Sequence, residues 1–227
     1  IERLVTAASL EGATSSRVQC YEVEREVPYT AIGTLVRGLL DRPGASGTSP
    51  VWLAELARMI PAVAQRYRNL PAPLETTGES ARLRFTEAVH ELLTAVADEH
   101  PIILVVDDVH LADDASVAVL HLVMRRTQEQ PIMVLLAARE SELAKTPNAG
   151  RLIEQRDPLG LATVILPPLG PEEMGEVLAQ LSSTAEVRLP PAVERAVLRT
   201  AAGVPMMAEL LFDDWRRHGE QCLALSV

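Results

Sequence analysis

Ile102-Ile103-Leu104-Val105-Val106-Asp107-Asp108, continuing as Val109-His110-Leu111-Ala112-Asp113, is an unbroken aliphatic stretch that runs straight into two acids. A short apolar run of this kind, bounded by the break His100-Pro101, predicts a strand buried on both faces, as in a parallel sheet covered by helices. In open α/β sheets the ligand crevice lies beyond the carboxyl ends of the strands. Asp107 and Asp108 emerge there, well placed for a hard cation and a water molecule. Magnesium prefers oxygen ligands and keeps part of its water shell, so Asp107 is expected to hold it, usually through water. Asp108 is expected to orient or deprotonate an attacking water. The alternative is that these acids only cap the following helix, and Asp113 or Asp114 in particular suits an N-cap for Ala115 onward.

Working outward, the chain alternates strand and helix patterns and then turns all-helical. Ile1 to Leu10 reads as a helix and Val18-Gln19-Cys20-Tyr21 as a short strand. Between Arg37 and Gly78, Pro/Gly punctuation marks an excursion with a helix near Trp52 to Met59 inside it. Phe85, Val89, Leu92, Leu93 and Val96 fall on one helical face. After the acids, Val117, Leu120 and Met124 form another stripe ending at Arg125-Arg126, and Ile132 to Ala137 is a second apolar strand. Thr163-Val164-Ile165-Leu166 reads as a last strand, closed by Pro167-Pro168. Beyond it come only helical stripes: Met174, Val177, Leu178 and Leu181, then Val193 and Val197, then Met206, Leu210 and Leu211. This order predicts an α/β core built on a parallel sheet, in three layers, over residues 1–168, and a small all-helical subdomain over 169–227.

Composition excludes several classes. The 227 residues are 48% apolar and 23% charged, ordinary for a globular core. Aromatics make up only 3%, so Leu, Val, Ile, Ala and Met must fill the interior. A net charge of −10 and a pI near 5.0 argue against a surface made to neutralise nucleic-acid phosphates. Two cysteines, Cys20 and Cys222, are too few for a disulfide framework and favour a reducing compartment. With no membrane-length apolar run and no signal-peptide pattern, a cytoplasmic location is expected.

Asp-Asp-x-His-x-Ala-Asp after an aliphatic strand resembles the Walker B region of STAND-type AAA+ ATPase modules, which occur in large LuxR-family regulators and some signalling cyclases. The resemblance extends to Val27-Pro28-Tyr29, to Arg82 through Val89, to Leu135-Leu136-Ala137-Ala138-Arg139 and to Ala202-Gly203-Val204-Pro205. It implies a P-loop NTPase-like core that binds ATP and Mg2+. It also implies a sensor-like Arg139 near the γ-phosphate, and Gly203 and Pro205 beside adenine. A fixed guanidinium beyond a strand end suits bidentate phosphate contact, although Arg139 could equally pair with Glu140 or Glu142. Gly203-Val204-Pro205 could equally be a helix stop and restart. His110 is either a residue orienting Asp108 or a satisfied structural histidine.

One departure is decisive. The phosphate cradle G-x-x-x-x-G-K-[ST] does not occur between Ile1 and Val227. The strand leading into that loop lies inside the sheet in this fold class, so its absence predicts a gap between two neighbouring strands. Ile1-Glu2-Arg3-Leu4-Val5 resembles the rest of the helix that follows the loop, so an upstream piece is expected. Without the backbone N–H nest and lysine, these residues alone should bind ATP poorly. The expected role is an ATP-binding or ATPase regulatory switch in a larger signalling or transcriptional regulator, partnered by nucleotide and an output domain, with homo-oligomers possible. An inactive ATPase-like scaffold for partner binding is the alternative, and a helicase-like motor finds no basic track to support it.

Overall fold

The computed structural model describes residues 1–143, 145–154 and 160–219. Cys222 lies outside the described residues. The chain divides into two compact units, Ile1–Ala162 and Thr163–Val227.

In the first unit the order is α1 (Glu2–Leu10), β1 (Thr14–Gln19), α2 (Thr30–Leu39), α3 (Pro50–Met59), α4 (Pro61–Arg66), α5 (Gly78–Ala97), β2 (Ile102–Asp107), α6 (Asp114–Arg126), β3 (Ile132–Leu136), α7 (Glu140–Leu143) and α8 (Pro147–Glu154). The strands form a parallel sheet in the order β1-β2-β3. Thr14 stands opposite Ile102 and Gln19 opposite Asp107, while Ile102 stands opposite Ile132 and Val106 opposite Leu136. The fold is α/β with a three-stranded parallel sheet, consistent with a P-loop NTPase-like core.

Why these residues take these places follows from strand alternation. In β1, Thr14, Ser16 and Val18 are buried, while Ser15, Arg17 and Gln19 face the other way. The inward face joins Ile102, Leu104 and Val106 to a core filled by Ile32, Leu35 and Leu39 of α2, Leu53 and Leu56 of α3, the predicted face of α5, and Leu120 of α6. All five residues of that α5 stripe are buried. α2 comes close enough to β1 for the Ser16 hydroxyl to donate to the Leu35 carbonyl at 2.8 Å. A Cβ on Gly38 would overlap the Ser16 hydroxyl, so a larger residue there would push that hydroxyl off its acceptor.

The 71–77 excursion is held by a buried carboxylate. Glu55, 2% exposed, accepts from Arg84 at 2.9 Å, from the Leu74 N–H at 3.1 Å and from Arg58 at 3.2 Å. Arg84 also lies over the Trp52 ring, 5.1 Å from its centre. The loop thus owes its position to charge-assisted bonds.

β2 is buried along its aliphatic length, but β3 is half-exposed, with Met133 at 46%. β3 has no described strand on its second side. The structure departs from the sequence expectation at three places. The first strand begins at Thr14 and not at Val18, because its inward positions are small and polar and give no aliphatic run. Thr163–Leu166 forms no strand: Val164, Ile165 and Leu166 are 80%, 72% and 86% exposed. A strand exists only with a ladder partner, and no described strand pairs with this segment.

In the second unit, α9 (Pro171–Thr184), α10 (Pro191–Ala201) and α11 (Pro205–His218) surround Met174, Leu178, Val197, Ala208, Leu211 and Phe212. Met206 and Leu210 are 62% and 57% exposed, because α11 turns Ala208, Leu211 and Phe212 inward instead. No described helix is long and apolar enough to cross a membrane.

Candidate nucleotide site

The two acids stand at the carboxyl end of the central strand. Asp107 is the last residue of β2, and Asp108 follows with φ 52° and ψ 45°, a left-handed conformation that aspartate tolerates better than most side chains. Asp107 Oδ2 accepts from Arg17 Nη2 at 2.9 Å and its Oδ1 from the Asp108 N–H at 3.1 Å. Asp108 Oδ2 accepts from Gln19 Nε2 at 2.6 Å. Both side-chain donors come from β1, on the face opposite the main core.

Arg139 is brought to the same end. The Ala137 N–H donates to the Val106 carbonyl and the Val109 N–H to that of Ala137, both at 2.9 Å, so the chain after β3 runs beside the chain after β2. Between them sits His110, 3% exposed. Its Nδ1 lies 3.5 Å from the Arg139 N–H and its Nε2 3.9 Å from Asp108 Oδ1. If Nδ1 accepts, the ring proton is on Nε2, aimed at the carboxylate. The Arg139 side chain is exposed and makes no ion pair among the described residues. Glu142 pairs with Lys145 at 2.9 Å instead, and that bond holds its carboxyl below the usual range.

Asp113 has a different task. Its Oδ1 accepts from the Ser116 N–H at 2.8 Å and the Tyr29 N–H at 2.7 Å, and Oδ2 from the Ala31 N–H at 3.3 Å. It is the N-cap of α6 and also anchors α2.

Gly203 and Pro205 lie in the second unit, apart from the acids in sequence and folding unit. Gly203 has φ 80°, its carbonyl accepts from the Leu169 N–H at 2.8 Å, and an added Cβ would sit 2.6 Å from the Leu169 carbonyl oxygen. Pro205 opens α11. The motif therefore ends α10 and starts α11, whatever else it contacts.

A cleft of about 1110 Å3 lies elsewhere in the first unit, lined among others by Glu22, Glu26, Asp114, Arg25, Arg82 and Arg151. Asp107, Asp108 and Arg139 do not line it. Its charges alternate in sign, which is poor recognition for a triphosphate.

Magnesium can be tested against this donor set. Among the described residues no three His, Cys, Asp or Glu side chains cluster as a cation cage. One carboxylate at a strand end, its side chain 22% exposed, with a second acid adjacent, fits an ion that keeps its waters and takes substrate phosphates as ligands.

A family model described as the AAA ATPase domain matches residues 1–135, more than half of the chain. The chain belongs to the AAA ATPase domain family. Membership makes it an AAA-type nucleotide-binding ATPase module, and in such modules the nucleotide typically comes with Mg2+. No curated protein and no solved structure matches the chain. Of the residues assigned by sequence, the AAA fold brings Asp107, Asp108 and Arg139 to one sheet end. Arg17 and Gln19 were not foreseen: polar residues on a short edge strand carry no signal until their neighbour, about 90 positions away, is known.

Proposed function

We propose that this AAA module is an ATP-binding regulatory switch of the STAND type, serving an output domain in a larger signalling or transcriptional regulator. The observation that carries the reading is the placement of Asp107, Asp108 and the Arg139 segment together at the carboxyl end of a parallel sheet. In this reading Asp107 holds magnesium through water, Asp108 orients the attacking water, and Arg139 contacts the γ-phosphate. Gly203 and Pro205 are assigned to adenine on the resemblance alone. In this reading the phosphate cradle, absent from these 227 residues, comes with a strand along the side of β3 that no described strand covers, at the edge of the described sheet and not in a gap between its contiguous strands, where Met133 and its neighbours remain half-exposed.

The test is nucleotide binding and turnover in the full-length protein. Asp107→Ala should weaken magnesium-dependent ATP affinity at least about tenfold, and unchanged binding removes Asp107 from the metal role. Asp108→Asn should slow hydrolysis by about a hundredfold while sparing affinity; equal turnover sinks its assignment. Arg139→Ala should erase the preference for ATP over ADP.

A scaffold that keeps the fold only for partner binding is the second reading. It is favoured by the absence of the cradle motif and by the engagement of both Asp107 oxygens within the chain. Full-length protein that binds no nucleotide would establish it.

A further inference from the structure

Arg17 divides its guanidinium between two carboxylates. Nη2 donates to Asp107 Oδ2 at 2.9 Å, and Nη1 lies 3.5 Å from Glu2 Oε1 on α1. Asp107 Oδ1 is taken by the Asp108 N–H. The carboxylate assigned above to magnesium therefore already carries a cation.

We propose that Arg17 is the resident counter-ion of Asp107, that magnesium takes this carboxylate by displacing it, and that Glu2 keeps the displaced guanidinium close. The inference rests on the reading of Asp107 as the magnesium carboxylate. A guanidinium stays charged at any physiological pH, so the pair cannot open by losing a proton. It opens by thermal dissociation into water, and a competing cation can then take the freed carboxylate. Exchange is easy here because the Arg17 side chain is 42% exposed, and exposed pairs are worth only roughly 1.4- to 5-fold in an equilibrium constant. Glu2, with its side chain 88% exposed, is free to follow the guanidinium as it leaves. Until the metal arrives, Arg17 neutralises an acid that would otherwise face Asp108 unscreened, and Gln19 steadies Asp108 beside it. Since Glu2 belongs to α1 and Asp107 to β2, the exchange would also tie metal occupancy to the footing of α1 on the sheet.

The measurement is the magnesium dependence of affinity for a fluorescent ATP analogue, read by anisotropy in the full-length protein, with no turnover needed. Arg17→Gln should lower the half-saturating magnesium concentration about threefold, and Glu2→Gln should raise it by up to about twofold, because Arg17 then has only Asp107. Opposite shifts from two partners of one ion-pair chain are not what general destabilisation produces. Arg17→Lys, which keeps the charge but cannot bridge both acids, should fall between wild type and Arg17→Gln and serves if the latter folds poorly. Asp107→Asn separates the two failures. If it leaves the magnesium dependence intact, the reading of Asp107 fails and the counter-ion role with it. If it abolishes that dependence while Arg17→Gln leaves the midpoint unmoved or raises it, only the counter-ion proposal is overturned. Loss of metal-free affinity in Arg17→Gln would overturn it too, by showing that Arg17 binds phosphate.

Discussion

The N–H of Tyr29 donates to Asp113 Oδ1 at 2.7 Å across 84 residues of sequence. Tyr29 has φ 65°, a left-handed conformation rare for a bulky residue, and its ring packs on Phe85 with centres 4.8 Å apart. The Asp113 bond and this ring contact hold the turn in place. Val27-Pro28-Tyr29 and the last acid of the Asp-Asp-x-His-x-Ala-Asp stretch, two separate motifs in sequence, are thus one structural joint.

Asp113→Ala should unfasten that joint. It removes the α6 cap, worth about 1 kcal/mol, and leaves the Tyr29 and Ala31 N–H groups without their acceptor, at about 1 kcal/mol or more each. A loss of about 2–4 kcal/mol is expected in urea unfolding, whereas Asp114→Ala, on the exposed side of the same turn, should change stability by under about 0.5 kcal/mol.

Glu55 should give the first unit an acid-sensitive step. Burial alone would push its carboxyl up, but bonds from Arg84, the Leu74 N–H and Arg58 outweigh this and hold it below the ordinary range. A carboxyl lowered by folding contributes stability that is fully present above its unfolded value, about 4.5, and is lost as pH falls through the lower folded value. Glu55→Gln should cost about 2–3 kcal/mol at neutral pH by leaving two arginines unpaired. It should also flatten the stability profile below pH 4.5. A profile as steep as wild type would refute the assignment.

Cys20 should resist alkylation. It is 4% exposed, and burial, followed by the charges of Asp113, Asp108, Glu24 and Asp107, pushes its thiol up to about 12. The thiolate is the reactive form, so almost none is present at pH 8. Iodoacetamide followed by peptide mapping should leave Cys20 unmodified in native protein and label it in urea. Native labelling would contradict the burial described.

Gly203→Ala should destabilise the second unit. The new Cβ would meet the Leu169 carbonyl oxygen and Pro168, and alanine is strained at φ 80°. A cost of about 2 kcal/mol or more is expected. If adenine contact were the sole reason for glycine here, nucleotide affinity would fall while the melting temperature held; loss of both supports the structural role.

The sequence by itself determined what depends on local pattern. Five aliphatics before two acids specify a buried strand with charge at its carboxyl end, and the stripes of Phe85–Val96 and Val117–Met124 specify which helix faces go inward, because periodicity and burial are one constraint. Missing glycines and lysine likewise show that the phosphate cradle is not among these residues. Only the tertiary structure decided what depends on neighbours distant in sequence. That Arg17 and Gln19 hold Asp107 and Asp108, that Asp113 ties α2 to α6, and that Thr163–Leu166 pairs with no described strand all follow from how distant segments come together. An isolated strand has no preferred partner until its ladder forms, so a polar side chain on it acquires a role only when the adjacent strand sets an acid within hydrogen-bond reach.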